Sequence, residues 1–289
     1  MQARRKSVQC LSPTGLHTMS YQEWGDPFNP EVLVCVHGLA RVSDDFDALA
    51  KNLADRYRVI CPDVVGRGAS GRLRNPMHYQ IPQYVSDMVT LLARLDVVKM
   101  DWFGTSMGGL IGMGIASLEG SPIRKLILND VGPALNPVAL ARIGEYVGQA
   151  VAFDRFDEAL GYIKSISQPF GVHTDAQWEK LARDVLRQNA AGQWIKHYDL
   201  GLGLPFKSVT AEQVTAGEAM LWAAYDAIRS KTLVVRGENS DLLSLETATE
   251  MTKRGPCATL VQISSVGHAP TFVSAEQIAI ARDFLLRDD

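Results

Sequence analysis

The chain has 289 residues, 46% of them hydrophobic and 21% charged, with a formal net charge of −3. That length supports one large core, or a core plus a modest insertion, and the composition is that of a globular protein rather than a disordered or fibrous one. The weak charge leaves no electrostatic basis for binding nucleic acid or an anionic membrane, and no apolar run is long enough to span a bilayer.

Arg4, Arg5 and Lys6 make a basic start that reads as a solvated terminus. Ser7, Gln9, Ser12 and Thr14 follow where a signal peptide would be apolar, so a cytoplasmic location is expected. Residues 7–11 and 16–24 form a predicted hairpin around Ser12-Pro13-Thr14-Gly15. Short apolar runs then alternate with helical patterns: strand 32–36, helix 44–53, strand 57–61, helix 81–95, strand 100–103, helix 107–118 and strand 123–128. The helix at 81–95 repeats apolar residues at helical spacing and carries Pro82 near its start. This alternation predicts βαβ units and a mostly parallel sheet with helices on both faces.

From Pro133 to Thr215 the rhythm changes to successive helices with no strand between them. Asn136-Pro137 starts one and Asp154 caps a second. Thr174 to Gln177 has the pattern of a capping box for a third. The predicted organisation is a core in two parts, 1–132 and 216–289, interrupted by a helical lid at 133–215. The second part comprises helix 218–228, strand 232–235, strand 258–263 and a terminal helix opened by a second capping box, Ser274 to Gln277. The four cysteines, Cys10, Cys35, Cys61 and Cys257, are widely spaced and suggest neither a metal site nor a disulfide scaffold. Cys35 and Cys61 sit in apolar runs and read as buried thiols.

Gly104-Thr105-Ser106-Met107-Gly108-Gly109 lies where a predicted strand meets a predicted helix. A nucleophile on so tight a turn needs small neighbours two residues away, and Gly104 and Gly108 supply them. A serine hydroxyl needs a base, and the base an orienting acid. Of six histidines, His268 alone follows the last strand and precedes the last helix, on the carboxyl edge that carries Ser106. Asp241, beyond strand 232–235, ranks first as the acid, because the chain order Ser106, Asp241, His268 is nucleophile, acid, base. Asp130 ranks second and Glu238 third. The oxyanion donors are expected to be the backbone N–H groups of Leu39 and Met107. His37, Gly38, Trp194 and Phe170 are candidate substrate contacts, with Phe153, Phe156 and Trp178 as further aromatic side chains of the lid.

With Val36-His37-Gly38, the segment from Pro62 to Ser70, the Ser106 turn, Gly237 to Asp241 and Gly267-His268, the sequence resembles the α/β-hydrolase superfamily over nearly its whole length. Bacterial carboxylesterases are the most similar group, with lactonases, carbon–carbon bond hydrolases and cofactor-free haloperoxidases as neighbours. The resemblance implies a helical lid after the sixth strand and neither metal nor organic cofactor. Serine at 106 departs from haloalkane dehalogenases and epoxide hydrolases, which carry aspartate there, and Ala269 departs from the tryptophan common in carbon–carbon hydrolases. The expected activity is hydrolysis of small to medium carboxylic esters by a monomer or homodimer. The alternatives are lactone or carbon–carbon hydrolysis on the same triad, or ligand sensing without catalysis.

Overall fold

The continuous apolar runs become the interior strands of one sheet because both of its faces are covered. In the computed structural model, which describes residues 2–207 and 211–287, the strands in chain order are β1 (Arg4–Ser12), β2 (Gly15–Trp24), β3 (Val32–Val36), β4 (Arg58–Pro62), β5 (Met100–Thr105), β6 (Ile123–Asn129), β7 (Leu186–Gln188), β8 (Trp194–Lys196), β9 (Lys231–Gly237) and β10 (Thr259–Ile263). The main sheet has the spatial order β1-β2-β4-β3-β5-β6-β9-β10. The β1–β2 hairpin is antiparallel and so is β2 with β4, while every other neighbouring pair is parallel.

Helices α1 (Asp47–Leu53), α2 (Ile81–Leu95) and α3 (Met107–Ala116) connect the early strands, α9 (Leu245–Met251) joins β9 to β10, and α10 (Ala275–Leu286) follows β10. The strand period of two sorts β3 between the two faces. Val32, Val34 and Val36 pack with Met88 and Leu91 of α2 and Ile111 and Ile115 of α3. Leu33 and Cys35 pack with Leu49 and Leu53 of α1 and Ala281 and Leu285 of α10. All five β3 residues are buried, as a doubly covered parallel strand requires. Cys35 and Cys61 are buried free thiols, as expected.

Between β6 and β9 the chain leaves the sheet and builds α4 (Pro137–Val147), α5 (Phe156–Ile166), α6 (Asp175–Val185), β7, β8, α7 (Leu204–Lys207) and α8 (Ala211–Ala227). Since β6 pairs directly with β9, this insertion departs and returns at neighbouring strands. Residues 208–210 of the expected lid lie outside the described residues. Asn136 caps α4 by accepting from Val138 N–H at 2.9 Å, and the capping box at Thr174 and Gln177 is complete. Two expectations fail locally. Asp154 does not cap α5, whose N-cap is Arg155; its carboxylate instead accepts from the Gln193 amide. The block also contains strands: β7 and β8 pair antiparallel, three residues each, too short for alternation to mark them in sequence.

Trp102 of β5 is fully buried and its indole N–H donates to the Gly108 carbonyl at 3.0 Å, joining the strand to the first turn of α3. Trp102→Ala is expected to lower the unfolding free energy by about 3–5 kcal/mol, measured as a reduced midpoint in equilibrium urea denaturation.

Candidate active site

The register Val36↔Gly104, Thr105↔Asn129 and Asn129↔Val235 sets the carboxyl ends of β3, β5, β6 and β9 side by side, so the loops that follow them meet at one edge. At that edge β5 turns into α3. A Cβ on Gly104 would collide with the Gly108 carbonyl, and one on Gly108 with the Val36 carbonyl, so only glycine allows the helix to start this close to the sheet. Ser106 takes φ 51° and ψ −115°, a strained conformation for a residue with a Cβ. Its N–H donates to the Asn129 carbonyl at 2.9 Å, which helps hold that strain in place.

His268 brings Nε2 to 2.9 Å from Ser106 Oγ, and its Nδ1 lies 2.8 Å from Asp130 Oδ2. Asp130 is completely buried. Its carboxylate also accepts from Ser240 Oγ–H at 2.6 Å and from Gly237 N–H at 2.8 Å. A carboxylate only accepts, so Nδ1 carries the imidazole proton and Nε2 is the acceptor facing the serine hydroxyl. The acid beside the histidine is therefore Asp130, and Asp241 is a correction. Asp241 lies four residues past the end of β9, is half-exposed, and takes the Arg142 guanidinium at 2.7 Å. Glu238 is turned away as well, accepting from Ser265 N–H at 2.9 Å. Residue 130 directly follows β6, next to β5, and this puts it within reach.

Met107 is the first residue of α3, so its N–H has no acceptor within the helix. Leu39, in the loop after β3, borders the same space as Ser106. A buried guanidinium braces both positions: Arg67 donates to the Leu39 carbonyl at 2.8 Å and to the Val65 carbonyl at 2.6 Å, and lies 3.3 Å from Met107 Sδ. Asp63, from the same segment, accepts from Ser43 N–H at 2.8 Å and Ala69 N–H at 2.9 Å. Asn129 links the serine turn to the histidine loop, donating to Thr105 Oγ1 at 3.0 Å and to the Pro270 carbonyl at 2.8 Å. Arg67 lies within the Pro62–Ser70 segment without being singled out by it, and Asn129 lies outside the motifs. The available signal is a charged residue between two glycines for the first, and a polar residue at the end of an apolar strand for the second.

Of the expected substrate contacts, His37, Gly38 and Phe170 line a cavity of about 120 Å³ that opens on Ser106 and His268. His37 has no nitrogen left for a ligand: Nδ1–H donates to the Gly38 carbonyl at 2.7 Å and Nε2 accepts from Val64 N–H at 2.9 Å. Burial pushes its pKa down to about 4 and keeps the ring neutral. Trp194 is a correction. It does not border the cavity; it packs on Phe156, ring centroids 5.0 Å apart, inside the insertion. A second cavity, about 490 Å³ and mainly apolar, also reaches Ser106 and is bordered by Met107, Leu110, Leu135, Leu140 and Leu221.

A profile described as the alpha/beta hydrolase fold matches residues 31–275. The chain belongs to the α/β-hydrolase family. A 3-hydroxybutyrate-oligomer hydrolase of Cupriavidus necator is 56% identical over 280 residues, 96% of each chain. Esterase YbfF of Escherichia coli is 26% identical, covering 83% of this chain and 87% of its own. The crystal structure of an α/β hydrolase from Novosphingobium aromaticivorans superposes with a TM-score of 0.86 at 34% identity over 99% of both chains. With these relatives, this hydrolase is a carboxylic ester hydrolase. Among the described residues no helix is long and apolar enough to cross a membrane.

The position of the acid is open to a direct comparison. Asp130→Asn is expected to lower kcat for ester hydrolysis by about four orders of magnitude. Asp241→Asn, which breaks only a half-exposed ion pair, is expected to stay within a few-fold of wild type in the same assay.

Proposed function

We propose that this hydrolase is a serine carboxylesterase that cleaves short oligoesters of 3-hydroxybutyrate through an acyl-enzyme on Ser106. The observation that carries the reading is the spacing of Ser106, His268 and Asp130, at 2.9 and 2.8 Å, in a chain 56% identical to a 3-hydroxybutyrate-oligomer hydrolase over nearly its whole length.

In this reading Ser106 Oγ attacks the ester carbonyl while His268 Nε2 takes its proton. The tetrahedral oxyanion accepts from the N–H groups of Leu39 and Met107, and losing one such donor would cost about 3–4 kcal/mol of transition-state stabilisation. Asp130 holds the imidazole in the required tautomer and stabilises the imidazolium. The C–O bond to the alcohol breaks, and His268 returns the proton to the departing oxygen. Water, deprotonated by His268, then releases the acid from Ser106. The two cavities fit the two halves of an ester. His268 borders the smaller one and not the larger, which makes the smaller the natural place for the leaving alcohol and the larger, apolar one the place for the acyl chain. The inserted helices supply walls to both and act as a lid over the reacting bond.

Incubation with linear 3-hydroxybutyrate dimer and trimer, read by chromatographic release of monomer, tests the proposal. Wild type is expected to cleave both, and Ser106→Ala and His268→Ala to lose at least three orders of magnitude in kcat. Cleavage of p-nitrophenyl esters without any cleavage of the oligomers would remove the substrate assignment and keep the esterase. Undiminished activity in Ser106→Ala would overturn the mechanism.

A further inference from the structure

Three cationic side chains border the smaller cavity among the described residues: Arg41, Arg142 and Lys196. The two arginines are already matched. Arg41 makes a two-pronged ion pair with Asp45, Nε to Oδ2 at 2.7 Å, and Arg142 is paired with Asp241. Lys196 differs. It is only 5% exposed, yet among the described residues no carboxylate lies within ion-pair distance of its ammonium. It donates instead to the carbonyls of Tyr146 at 2.6 Å and Gln149 at 2.9 Å, at the C-terminal end of α4. The rings of Tyr162 and Tyr198 lie 5.5 and 5.6 Å from its nitrogen. An ammonium has three N–H donors, so one is left over.

Burying a cation without a counter-ion is costly, and the partial charges of a helix C-terminus and two aromatic faces offset only part of the cost. An arriving carboxylate would supply the missing charge and accept the third hydrogen bond. Resting on the oligoester reading above, we propose that Lys196 is the specificity residue that binds the free carboxylate of the substrate. The carboxyl-terminal unit of a hydroxy-acid oligomer thereby occupies the smaller cavity and departs as the alcohol.

The chemistry gives this a direction. In an oligomer of 3-hydroxybutyrate the unit with the free carboxylate is bonded through its own hydroxyl, as the alcohol half of the last ester. The Ser106 Oγ–carbonyl bond forms, the bond to that unit's oxygen breaks, and the proton from Ser106 passes through His268 to the oxygen. The products are one free 3-hydroxy acid and the shortened chain held on Ser106, which water then releases. The rest of the chain, with no charge of its own, lies in the larger apolar cavity.

The experiment compares linear 3-hydroxybutyrate trimer as the free acid with the same trimer esterified by methanol at its carboxyl end. The quantity read is the ratio of kcat/KM for acid over methyl ester. Wild type is expected to favour the acid by tenfold or more. Lys196→Met is expected to reduce that ratio at least tenfold, mainly through KM for the acid, and Lys196→Arg to restore most of it. A trimer labelled isotopically in its carboxyl-terminal unit is expected to release labelled monomer first.

The ratio is also expected to depend on pH in one sense. Burial lowers the Lys196 pKa to about 8, so the cation is present below that pH and lost above it, and the preference for the acid falls as pH rises through that region. Tyr146, Tyr162 and Tyr198, which pack against the lysine, are pushed up by burial and stay neutral across the range. Against the effect of burial, Asp45 raises the Arg41 pKa and that cation persists, Arg142 is paired with Asp241 at 2.7 Å, and His268 acts on both substrates alike and cancels from the ratio.

Equal kcat/KM on acid and methyl ester in wild type overturns the inference and leaves the oligoester reading standing, as does a Lys196→Met ratio within twofold of wild type or first release of unlabelled monomer. Cleavage of neither trimer overturns both. If Lys196→Met fails to fold, the wild-type ratio, its pH profile and the order of label release decide.

Discussion

The buried carboxylate of Asp130 holds together three loops that are far apart in sequence. It follows β6, receives hydrogen bonds from Gly237 N–H and Ser240 Oγ–H beyond β9, and meets the imidazole of His268 beyond β10. A buried anion without those donors would be strongly disfavoured. The loops therefore adopt the arrangement that supplies them, and His268 is placed against Ser106 as a consequence. Asn129, one residue earlier, adds a second link between the same edges through Thr105 and Pro270. The serine turn is strained and the histidine is on a loop, but the parts around them are crosslinked on all sides.

A second level of support comes from residues that touch no reacting atom. Arg67 is enclosed by Tyr84 and Tyr79 and ties the carbonyls of Leu39 and Val65 together. His37, kept neutral by burial, stitches the loop after β3 to Val64. Together they fix the loop after β3 against the segment that follows β4 and against Met107, which makes the backbone beside Ser106 a property of the core. The insertion contributes in another way. Of its two cationic side chains that border the smaller cavity among the described residues, Arg142 is paired with Asp241, which makes the unmatched Lys196 stand out.

Much of the fold was legible in local pattern. The capping residues Asn136 and Thr174 act as their side chains suggest, and the continuous apolar runs are the buried parallel strands. At the second capping box the reading holds by half: Ser274 accepts from Gln277 N–H at 3.2 Å, but the Gln277 side chain turns back to cap Phe272 N–H in the histidine loop. A local motif was redirected there by a neighbouring backbone donor. The strands β7 and β8 and the helix α9 escaped notice because each is too short for its period to emerge.

The sequence by itself determined the strand-to-helix turn that carries Ser106 and the position of His268 after the last strand. Both depend on residue types within a few positions of one another. The acid could not be settled in that way. Ser106, Asp130, His268 and Ser106, Asp241, His268 run in the same chain order, and both aspartates follow strands that end on the same edge. Only the packing of β6 beside β5, and the capture of Asp241 by Arg142 from the insertion, separated them. The same holds for Lys196, an ordinary residue in sequence. Its meaning comes from burial without a counter-ion, and burial is decided by segments distant along the chain.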